Sequence, residues 1–256
     1  MNKILFASDL DNTLLFSWRH KTDSDQCVEH LDGKEQGFCT QQSLELLASV
    51  CEQAWFVPVT TRSVAQYQRI AWPAPCAPEF AVAANGGILL VNGVVDSKWY
   101  MQTQELSAPW WDELLYLQSR LPEAPMCRRW RIVDGLYLFA VCGDEESAQA
   151  GRRFFEGGTG LNVEASGRKL YFFPPPINKG DAVSRLRARF LPDKVICAGD
   201  SVIDVPMLRA ADIAIFPDAD LMRGEHAAAV MLHSGAERFP DFVLKSVLNE
   251  IRRIPV

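Results

Sequence analysis

The sequence lacks the features that mark membrane, secreted and nucleic-acid-binding chains. No segment approaches the ~18 consecutive apolar residues of a membrane span, and charges follow the short apolar stretch at the N-terminus, unlike in a signal peptide. The formal net charge of -6 excludes a global basic surface. The seven cysteines form no CxxC pair, and the four histidines show no metal-ligand spacing. We therefore expect free thiols, a cytoplasmic location, no nucleic-acid or membrane partner, and an oligomeric state that the sequence leaves unknown.

The chain does have a large apolar content, which is arranged in two patterns. Of its 256 residues, 48% are hydrophobic, enough for one large domain or two smaller ones. Towards both ends of the chain, apolar strand-like segments alternate with helical ones, as in KILFAS (3–8), AWFVPVT (54–60) and KVICAGD (194–200). This alternation predicts an α/β fold in which helices cover both faces of a parallel sheet.

The middle of the chain follows a different pattern. ILLVNGVVD (88–96) predicts a hairpin with Asn92 and Gly93 at its turn, and RWRIV and LYLFAVC pair around Asp134 and Gly135. Such hairpins, mixed with helical segments, predict an α+β unit with an antiparallel sheet.

We predict a Rossmann-like core formed by residues 1–87 and 174–256, interrupted by an inserted α+β domain at 88–173. Within the core, VAQYQRIA (64–71) predicts a helix. Residues 17–40 are polar and contain two glycines, so we expect an irregular excursion or flap there.

Polar residues stand in order at the ends of the predicted strands and helices of the core. They are Asp9 and Asp11 after the first strand, Thr60, Thr61 and Arg62 after the second, Lys179 at the start of a helix, and Asp200 and Asp204 after the strand KVICAG. Open parallel sheets bind ligands at the carboxyl ends of their strands. Two neighbouring carboxylates repel each other unless a cation lies between them, and Mg²⁺ prefers oxygen ligands together with a substrate phosphate. The arrangement favours phosphoryl transfer to an aspartate, with a second carboxylate moving protons.

Each of these motifs also has an ordinary structural interpretation. The DxDxT residues suit a turn or a helix N-cap, and Asp204 suits a cap on the helix at 205–211. Lys179 by itself suits a solvated charge at a helix end. The ordered coincidence of four such motifs favours the catalytic interpretation.

DLDNTL, VTTR, NKGDAV and GDSVIDVPML resemble the four ordered motifs of the haloacid dehalogenase (HAD) superfamily. ANGG (84–87) resembles the segment that leads into the cap of its Cof-type, sucrose-phosphate-phosphatase-like branch. The resemblance covers nearly the whole chain. It implies a HAD-like fold with a C2-type cap that determines specificity, and a Mg²⁺-dependent phosphoric monoester hydrolase that forms an aspartyl-phosphate.

The resemblance also implies roles for individual residues. Asp9 would be the nucleophile and a metal ligand, and Asp11 would be the general acid/base, with its backbone carbonyl on the metal. Thr60, Thr61 and Lys179 would bind the phosphate. Asp200 would be the metal carboxylate, and Asp204 would support it. Asn85 is either a turn residue or a further phosphate contact. The branch usually has Asn immediately before the last aspartate, whereas this chain has Ile203, whose side chain cannot form the hydrogen bonds of an amide.

The expected function is hydrolysis of a small phosphorylated metabolite, of the sugar or polyol phosphate class. Candidate substrate-binding cations are Arg62, Arg129, Arg131 and Lys169, although the arginines of RRWR also suit a solvated strand edge. Two alternatives remain open. One is a phosphosugar mutase that uses the same intermediate, and the other is a catalytically weakened phospholigand-binding protein, which only Ile203 supports.

Overall fold

The structure is a computed structural model that describes residues 4–224 and 228–253. Predictions that fall on residues 1–3, 225–227 and 254–256 lie outside the described residues. In the part that is described, no helix combines the length and the apolar character needed to cross a bilayer.

The described residues form strands and α-helices in the following order. The strands are β1 (Ile4–Ser8), β2 (Phe16–Ser17), β3 (Gln26–Leu31), β4 (Lys34–Cys39), β5 (Trp55–Pro58), β6 (Phe80–Ala83), β7 (Ile88–Val91), β8 (Val94–Val95), β9 (Cys127–Val133), β10 (Tyr137–Cys142), β11 (Asn162–Ser166), β12 (Lys169–Phe173), β13 (Lys194–Ala198), β14 (Ile213–Phe216) and β15 (Val230–Leu232). The helices are α1 (Gln41–Cys51), α2 (Val64–Tyr67), α3 (Ser97–Ser107), α4 (Trp111–Arg120), α5 (Glu145–Phe155), α6 (Lys179–Phe190), α7 (Val205–Arg209) and α8 (Phe239–Arg253).

The central sheet is parallel, with strand order β15-β14-β13-β1-β5. Every residue of β1 is buried, as expected for a central strand whose two faces are both covered and whose sequence is a continuous apolar run. Beyond β5, Val59 forms a parallel bridge with Val82 of β6. The predicted α/β fold with a parallel central sheet is confirmed, whereas β15 was not predicted.

The chain divides into two compact units. The first contains the chain up to Val95 and from Lys179 onward, and the second is Asp96–Asn178. Both boundaries lie a few residues after those predicted at 88 and 174. The reason for the first shift is strand pairing, because β7 and β8 continue an antiparallel sheet from β6 and so belong to the first unit. The assignment of the second unit to substrate specificity stays a prediction.

Residues 17–40, predicted as an irregular excursion or flap, are not irregular, and a role as a flap stays a prediction. They form most of a three-stranded antiparallel sheet with order β2-β4-β3. Asp32 and Gly33 join β3 to β4 with φ of 51° and 74°, values that suit a tight two-residue hairpin turn. The helix predicted over 64–71 is also too long, because the chain after α2 forms an antiparallel bridge between Ile70 and Glu29.

The second unit contains an antiparallel sheet with order β11-β12-β10-β9. Helices α4 and α5 pack on one face of it, around apolar residues that include Leu114, Ala148, Leu138 and Phe172. The β9–β10 hairpin turns at Asp134 and Gly135 as predicted. The unit therefore has the α+β organisation that the sequence pattern indicates.

Candidate active site

Three neighbouring strands of the parallel sheet, β13, β1 and β5, end side by side. Asp9 directly follows β1, while Asp200 and Thr60 lie two residues beyond β13 and β5. Main-chain hydrogen bonds extend the pairing past the strand ends: the Asp9 N–H donates to the Ala198 carbonyl and the Thr60 N–H to the Val82 carbonyl, both at 2.9 Å. The fold thus brings these three predicted site residues to one edge of the sheet, as expected for a ligand site of this architecture.

Lys179, the first residue of α6, is buried between two carboxylates. Its Nζ donates to Oδ1 of Asp9 and to Oδ1 of Asp204, each at 2.5 Å. Only 1% of Lys179 is exposed, so its ammonium depends on these partners. Burial lowers the pKa of Lys179, but the charges of Asp204 and Asp9 outweigh burial and raise that pKa above its usual value. Lys179 is therefore a fixed positive charge beside Asp9 and not a solvated charge at a helix end.

Asp204 holds Lys179 and the loop at residues 199–201 in place. Its Oδ2 accepts hydrogen bonds from the Asp200 N–H at 3.1 Å, the Ser201 N–H at 3.0 Å and the Ser201 hydroxyl at 2.9 Å. Gly199 leaves room for this arrangement, because a Cβ at that position would lie 2.4 Å from the Asp204 Cβ. Both carboxylate oxygens of Asp204 accept hydrogen bonds within the protein, and its expected role as support of a metal site stays a prediction.

Ile203 stands where the family motif usually has Asn. Asp204 nevertheless accepts hydrogen bonds from other groups. The Ile203 side chain is buried, and the donors to Asp204 come from Lys179, the main chain and the Ser201 hydroxyl. An amide at position 203 is therefore not needed to hold Asp204.

The carboxylates at this edge of the sheet carry more negative charge than Lys179 balances. Oxygens of Asp9, Asp200 and Asp204 lie within 4.8 Å of one another. Burial, with the charges of nearby carboxylates, raises the pKa of Asp9 well above its usual value despite Lys179. Burial and the charge of Asp204 raise the pKa of Asp200 to about 6. Hard oxygen donors with excess negative charge fit Mg²⁺, and Asp9 and Asp200 are the residues that would hold it.

Asp11 is held by Arg62 in a two-point ion pair. Arg62 Nε donates to Asp11 Oδ2 at 3.0 Å, and Nη2 donates to Oδ1 at 2.7 Å. The remaining nitrogen, Nη1, donates to Oε2 of Glu29 at 2.9 Å. Burial lowers the pKa of Arg62, but Asp11 and Glu29 outweigh it and raise the pKa. The sequence places Arg62 after the second strand of the core and makes it a candidate substrate-binding cation. The structure pairs it with Asp11 and Glu29, and a role in substrate binding stays a prediction.

Glu29 is the residue of this cluster that sequence reasoning missed. Within residues 17–40 it is one of several acidic side chains, and no pattern distinguishes it. The Asp32–Gly33 pair was a usable signal for the hairpin that carries it. The burial of Glu29 depends on irregular strand pairing on both sides of it, which the sequence pattern does not show.

Asn85 and Thr61 lie close to Thr60 along the main chain. The Asn85 N–H donates to the Thr60 carbonyl at 2.9 Å, and only 2% of Asn85 is exposed. Thr61 follows Thr60 directly and is partly exposed. A phosphate-binding role for both residues stays a prediction.

Arg129, Arg131 and Lys169 lie in the second unit and share one face of its sheet. Val141 of β10 pairs with Arg129 on one side and with Lys169 on the other. Arg131 lies two residues further along β9, so it points to the same face as Arg129. All three cations are exposed. The three cations thus lie on one face of the sheet, and a role for them in substrate binding stays a prediction.

The chain resembles solved structures of two phosphatases and of a haloacid dehalogenase-like hydrolase over almost its full length. The sucrose-phosphatase from Synechocystis, solved with sucrose and phosphate, has a TM-score of 0.63 at 14% identity, with 97% of this chain and 98% of that chain covered. The trehalose-6-phosphate phosphatase from Aspergillus fumigatus has a TM-score of 0.55 at 16% identity, with 98% and 93% covered. A haloacid dehalogenase-like hydrolase from B. subtilis has a TM-score of 0.58 at 15% identity, with 98% and 99% covered.

No protein-family model and no curated protein matches the chain in sequence. The structural likeness, together with the parallel sheet and its acidic edge, shows that the chain has the fold of the haloacid dehalogenase-like hydrolases.

Proposed function

We propose that the chain is a Mg²⁺-dependent phosphatase that hydrolyses a small phosphorylated metabolite, of the sugar or polyol phosphate class, through an aspartyl-phosphate on Asp9. The observation that carries this proposal is the buried Asp9 carboxylate, which lies 2.5 Å from Lys179 Nζ and within 4.8 Å of an Asp200 oxygen. Structural neighbours that are named as sucrose-phosphatase and trehalose-6-phosphate phosphatase support the substrate class.

In the proposed mechanism, an Asp9 oxygen attacks phosphorus while the ester P–O bond breaks, and Asp11, in its protonated form with one oxygen released from Arg62, gives that proton to the leaving oxygen. Water then attacks the phosphorus of the aspartyl-phosphate and gives a proton to Asp11, which releases inorganic phosphate and restores Asp9. Lys179 holds Asp9 and offsets the charge of the transferring oxygens, to which Thr60 donates a hydrogen bond. Asp9 and Asp200 would hold Mg²⁺, which would supply the positive charge that lets an anionic nucleophile approach an anionic phosphate.

We further propose that the second unit selects the substrate and that the protein works in the cytoplasm. The shared, exposed face of Arg129, Arg131 and Lys169 supports binding of an anionic metabolite. The odd number of cysteines and the lack of a CxxC pair in the sequence support a reducing compartment.

A screen of phosphorylated metabolites with release of inorganic phosphate as readout tests the proposal. We expect turnover of at least one sugar or polyol phosphate with Mg²⁺, loss of turnover with EDTA, and a fall of at least about 10³-fold in Asp9→Asn because the nucleophile is removed. Asp220→Asn is the matched control, since Asp220 is an exposed aspartate paired only with exposed Arg223 among the contacts described.

Other outcomes would replace the proposal. An isomerised sugar phosphate without free phosphate would identify a mutase. Tight binding of a sugar phosphate without any turnover would identify a binding protein. Turnover that Asp9→Asn retains, in a variant with an unchanged unfolding midpoint, would exclude Asp9 as the nucleophile.

A further inference from the structure

The β3–β4 hairpin carries a carboxylate into the interior of the first unit. Glu29 of β3 is only 3% exposed. Its Oε2 accepts a hydrogen bond from Arg62 Nη1 at 2.9 Å, and its Oε1 accepts one from Arg69 Nε at 3.0 Å. Because a buried carboxylate is strongly unfavourable unless it is paired, two guanidinium groups on one glutamate indicate a site that is built around this charge.

The backbone around Glu29 is shaped to bring that carboxylate inward. The pairing of β3 with β4 shifts register on both sides of Glu29, and such irregularities change the direction in which a side chain points. Glu29 also bridges Ile70, and the Ala71 N–H donates to the Val28 carbonyl at 2.7 Å. Opposite Glu29 stands Gly37, where a Cβ would lie 3.0 Å from Glu29 Oε2 and 3.1 Å from its Cβ.

Arg62 connects this buried charge to Asp11. The guanidinium is a rigid plane, so its position on Glu29 through Nη1 also orients the Nε and Nη2 edge that holds both oxygens of Asp11. The Asp11 side chain is 41% exposed, whereas that of Arg62 is 11% exposed. Buried Glu29 therefore restrains the more exposed Asp11 through Arg62.

We propose that Glu29 is a positioning residue for Asp11 and acts through Arg62, an inference that rests on the proposed function of Asp11. Glu29 does not contact the reacting atoms. It restricts the orientations of Arg62 and thereby those of the carboxylate that gives a proton to the leaving oxygen. The β3–β4 hairpin, which follows β1 in the chain, thus controls the efficiency of the acid step.

This role gives Glu29 a selective effect on substrates. An alkyl phosphate leaves as a strongly basic alkoxide and needs the proton from Asp11, whereas p-nitrophenolate leaves readily without one. The ratio kcat/KM reports the steps up to departure of the leaving group, so the later action of Asp11 on water does not enter it.

The first test compares kcat/KM of Glu29→Gln and wild type on glycerol phosphate and on p-nitrophenyl phosphate with Mg²⁺. Glutamine keeps the size and removes the charge. We expect a fall of at least about tenfold on the alkyl ester and of less than about threefold on the aryl ester. Glu35→Gln is the control, because Glu35 lies on the same hairpin, is exposed and pairs with Lys21, and we expect it to leave both ratios unchanged. Equal losses on both esters, or a gain on the alkyl ester, would overturn the positioning role.

The second test needs no activity. The unfolding midpoints of Glu29→Gln, Asp11→Asn and the double variant form a double-mutant cycle. Since Arg62 bridges the two residues, we expect the shift of the double variant to differ from the sum of the single shifts, and additive shifts would overturn the coupling. A wild type that hydrolyses neither ester overturns the proposed function instead, and the cycle then still decides whether Glu29 and Asp11 are coupled.

Discussion

At the scale of single residues, the candidate site is a cluster of aspartates around one lysine. Lys179 pairs with Asp9 and Asp204, while Asp200 has a pKa raised to about 6 by burial and by the charge of Asp204. A carboxyl with a raised pKa in the folded state holds its proton more tightly there than in the unfolded chain. Above pH 6 the ionised Asp200 carboxyl therefore lowers the free energy of unfolding by its full amount. This loss of stability disappears as the pH falls towards the ordinary pKa value of 3.8.

We predict that Asp200→Asn stabilises the metal-free protein at pH 7.5 by on the order of 2 kcal/mol, because the variant removes a buried charge. At pH 5 the difference in the free energy of unfolding between Asp200→Asn and wild type should fall to about half, since the wild-type carboxyl is then largely protonated in the folded state. Urea unfolding in EDTA at both pH values measures this. Asp220→Asn, on the surface, should change stability little at either pH, and an Asp200→Asn variant that is less stable than wild type at pH 7.5 would contradict the prediction.

Gly199 also determines the geometry of the site, because its lack of a side chain allows Asp204 to pack against the main chain there. Gly199→Ala would bring a methyl group 2.4 Å from the Asp204 Cβ, so the loop or Asp204 must move. We predict a loss of about 1–3 kcal/mol in the free energy of unfolding and a loss of phosphatase activity. Gly158→Ala is the matched control, because its Cβ would meet nothing closer than 3.6 Å. Equal stability of the two variants in urea unfolding would show that the close approach is unimportant.

The position of polar residues at the strand ends could be predicted, because it depends only on local sequence order, in which polar residues directly follow an apolar strand. Asp9, Thr60 and Asp200 illustrate this. The pairing of Arg62 with Glu29 could not, because it joins residues of separate elements and depends on the register of β3 against β4.

At the scale of elements, Arg238, which precedes α8, connects the C-terminal part of the first unit to the segment that forms the β2-β4-β3 sheet. Arg238 Nη1 donates to both oxygens of Asp25 at 2.9 and 2.8 Å, and Nη2 donates to the His20 carbonyl at 2.9 Å. Its guanidinium carbon lies 3.9 Å from the centre of the Phe16 ring. Since the Asp25 side chain is only 2% exposed, Arg238 pairs with a nearly buried charge.

We predict that Arg238→Ala lowers the free energy of unfolding by about 2 kcal/mol, because it leaves Asp25 without its guanidinium partner and removes the ring contact. Arg223→Ala should change it by less than about 0.5 kcal/mol, since the Arg223–Asp220 pair is exposed. Urea unfolding at pH 7 compares the two variants. Equal effects would mean that the sheet is held by other contacts.

Helices with a complete apolar period were predictable, and short elements that depend on tertiary contacts were not. KGDAVSRLRARF forms α6, which starts at Lys179 as predicted. FPDFVLKSVLNEIRR, with apolar residues at helical spacing, forms α8. The segment at 64–71 instead ends its helix early, because Ile70 pairs with Glu29 of the unpredicted hairpin. Polar residues 17–40 gave little apolar alternation, so the Asp32–Gly33 turn was their strongest signal for strands.

At the scale of the whole molecule, the site combines two distant segments of the chain. Asp9 follows the first strand, whereas Lys179 and Asp200 follow the second unit in sequence. A cation held by Asp9 and Asp200 binds only when both segments are folded together, so it stabilises the folded state.

We predict that Mg²⁺ raises the thermal unfolding midpoint of the wild type in a concentration-dependent manner. At about 100 times the dissociation constant, the gain corresponds to about 2.7 kcal/mol. Asp200→Asn should abolish the response and Asp220→Asn should retain it. Differential scanning fluorimetry over a Mg²⁺ titration at pH 7.5 measures this, and an equal response of both variants would place the cation elsewhere.

The central position of β1 between β5 and β13 also has a consequence for biosynthesis. A nascent chain can pair β1 with β5 early, but the other edge of β1 must wait until the entire second unit and α6 have been translated. During that interval an apolar strand edge is open to other polypeptides, a situation that favours aggregation or the attention of chaperones. Ribosome-stalled or prematurely terminated chains that stop before Lys179 thus contain Asp9, the proposed nucleophile, without Lys179, and we expect them to have no phosphatase activity.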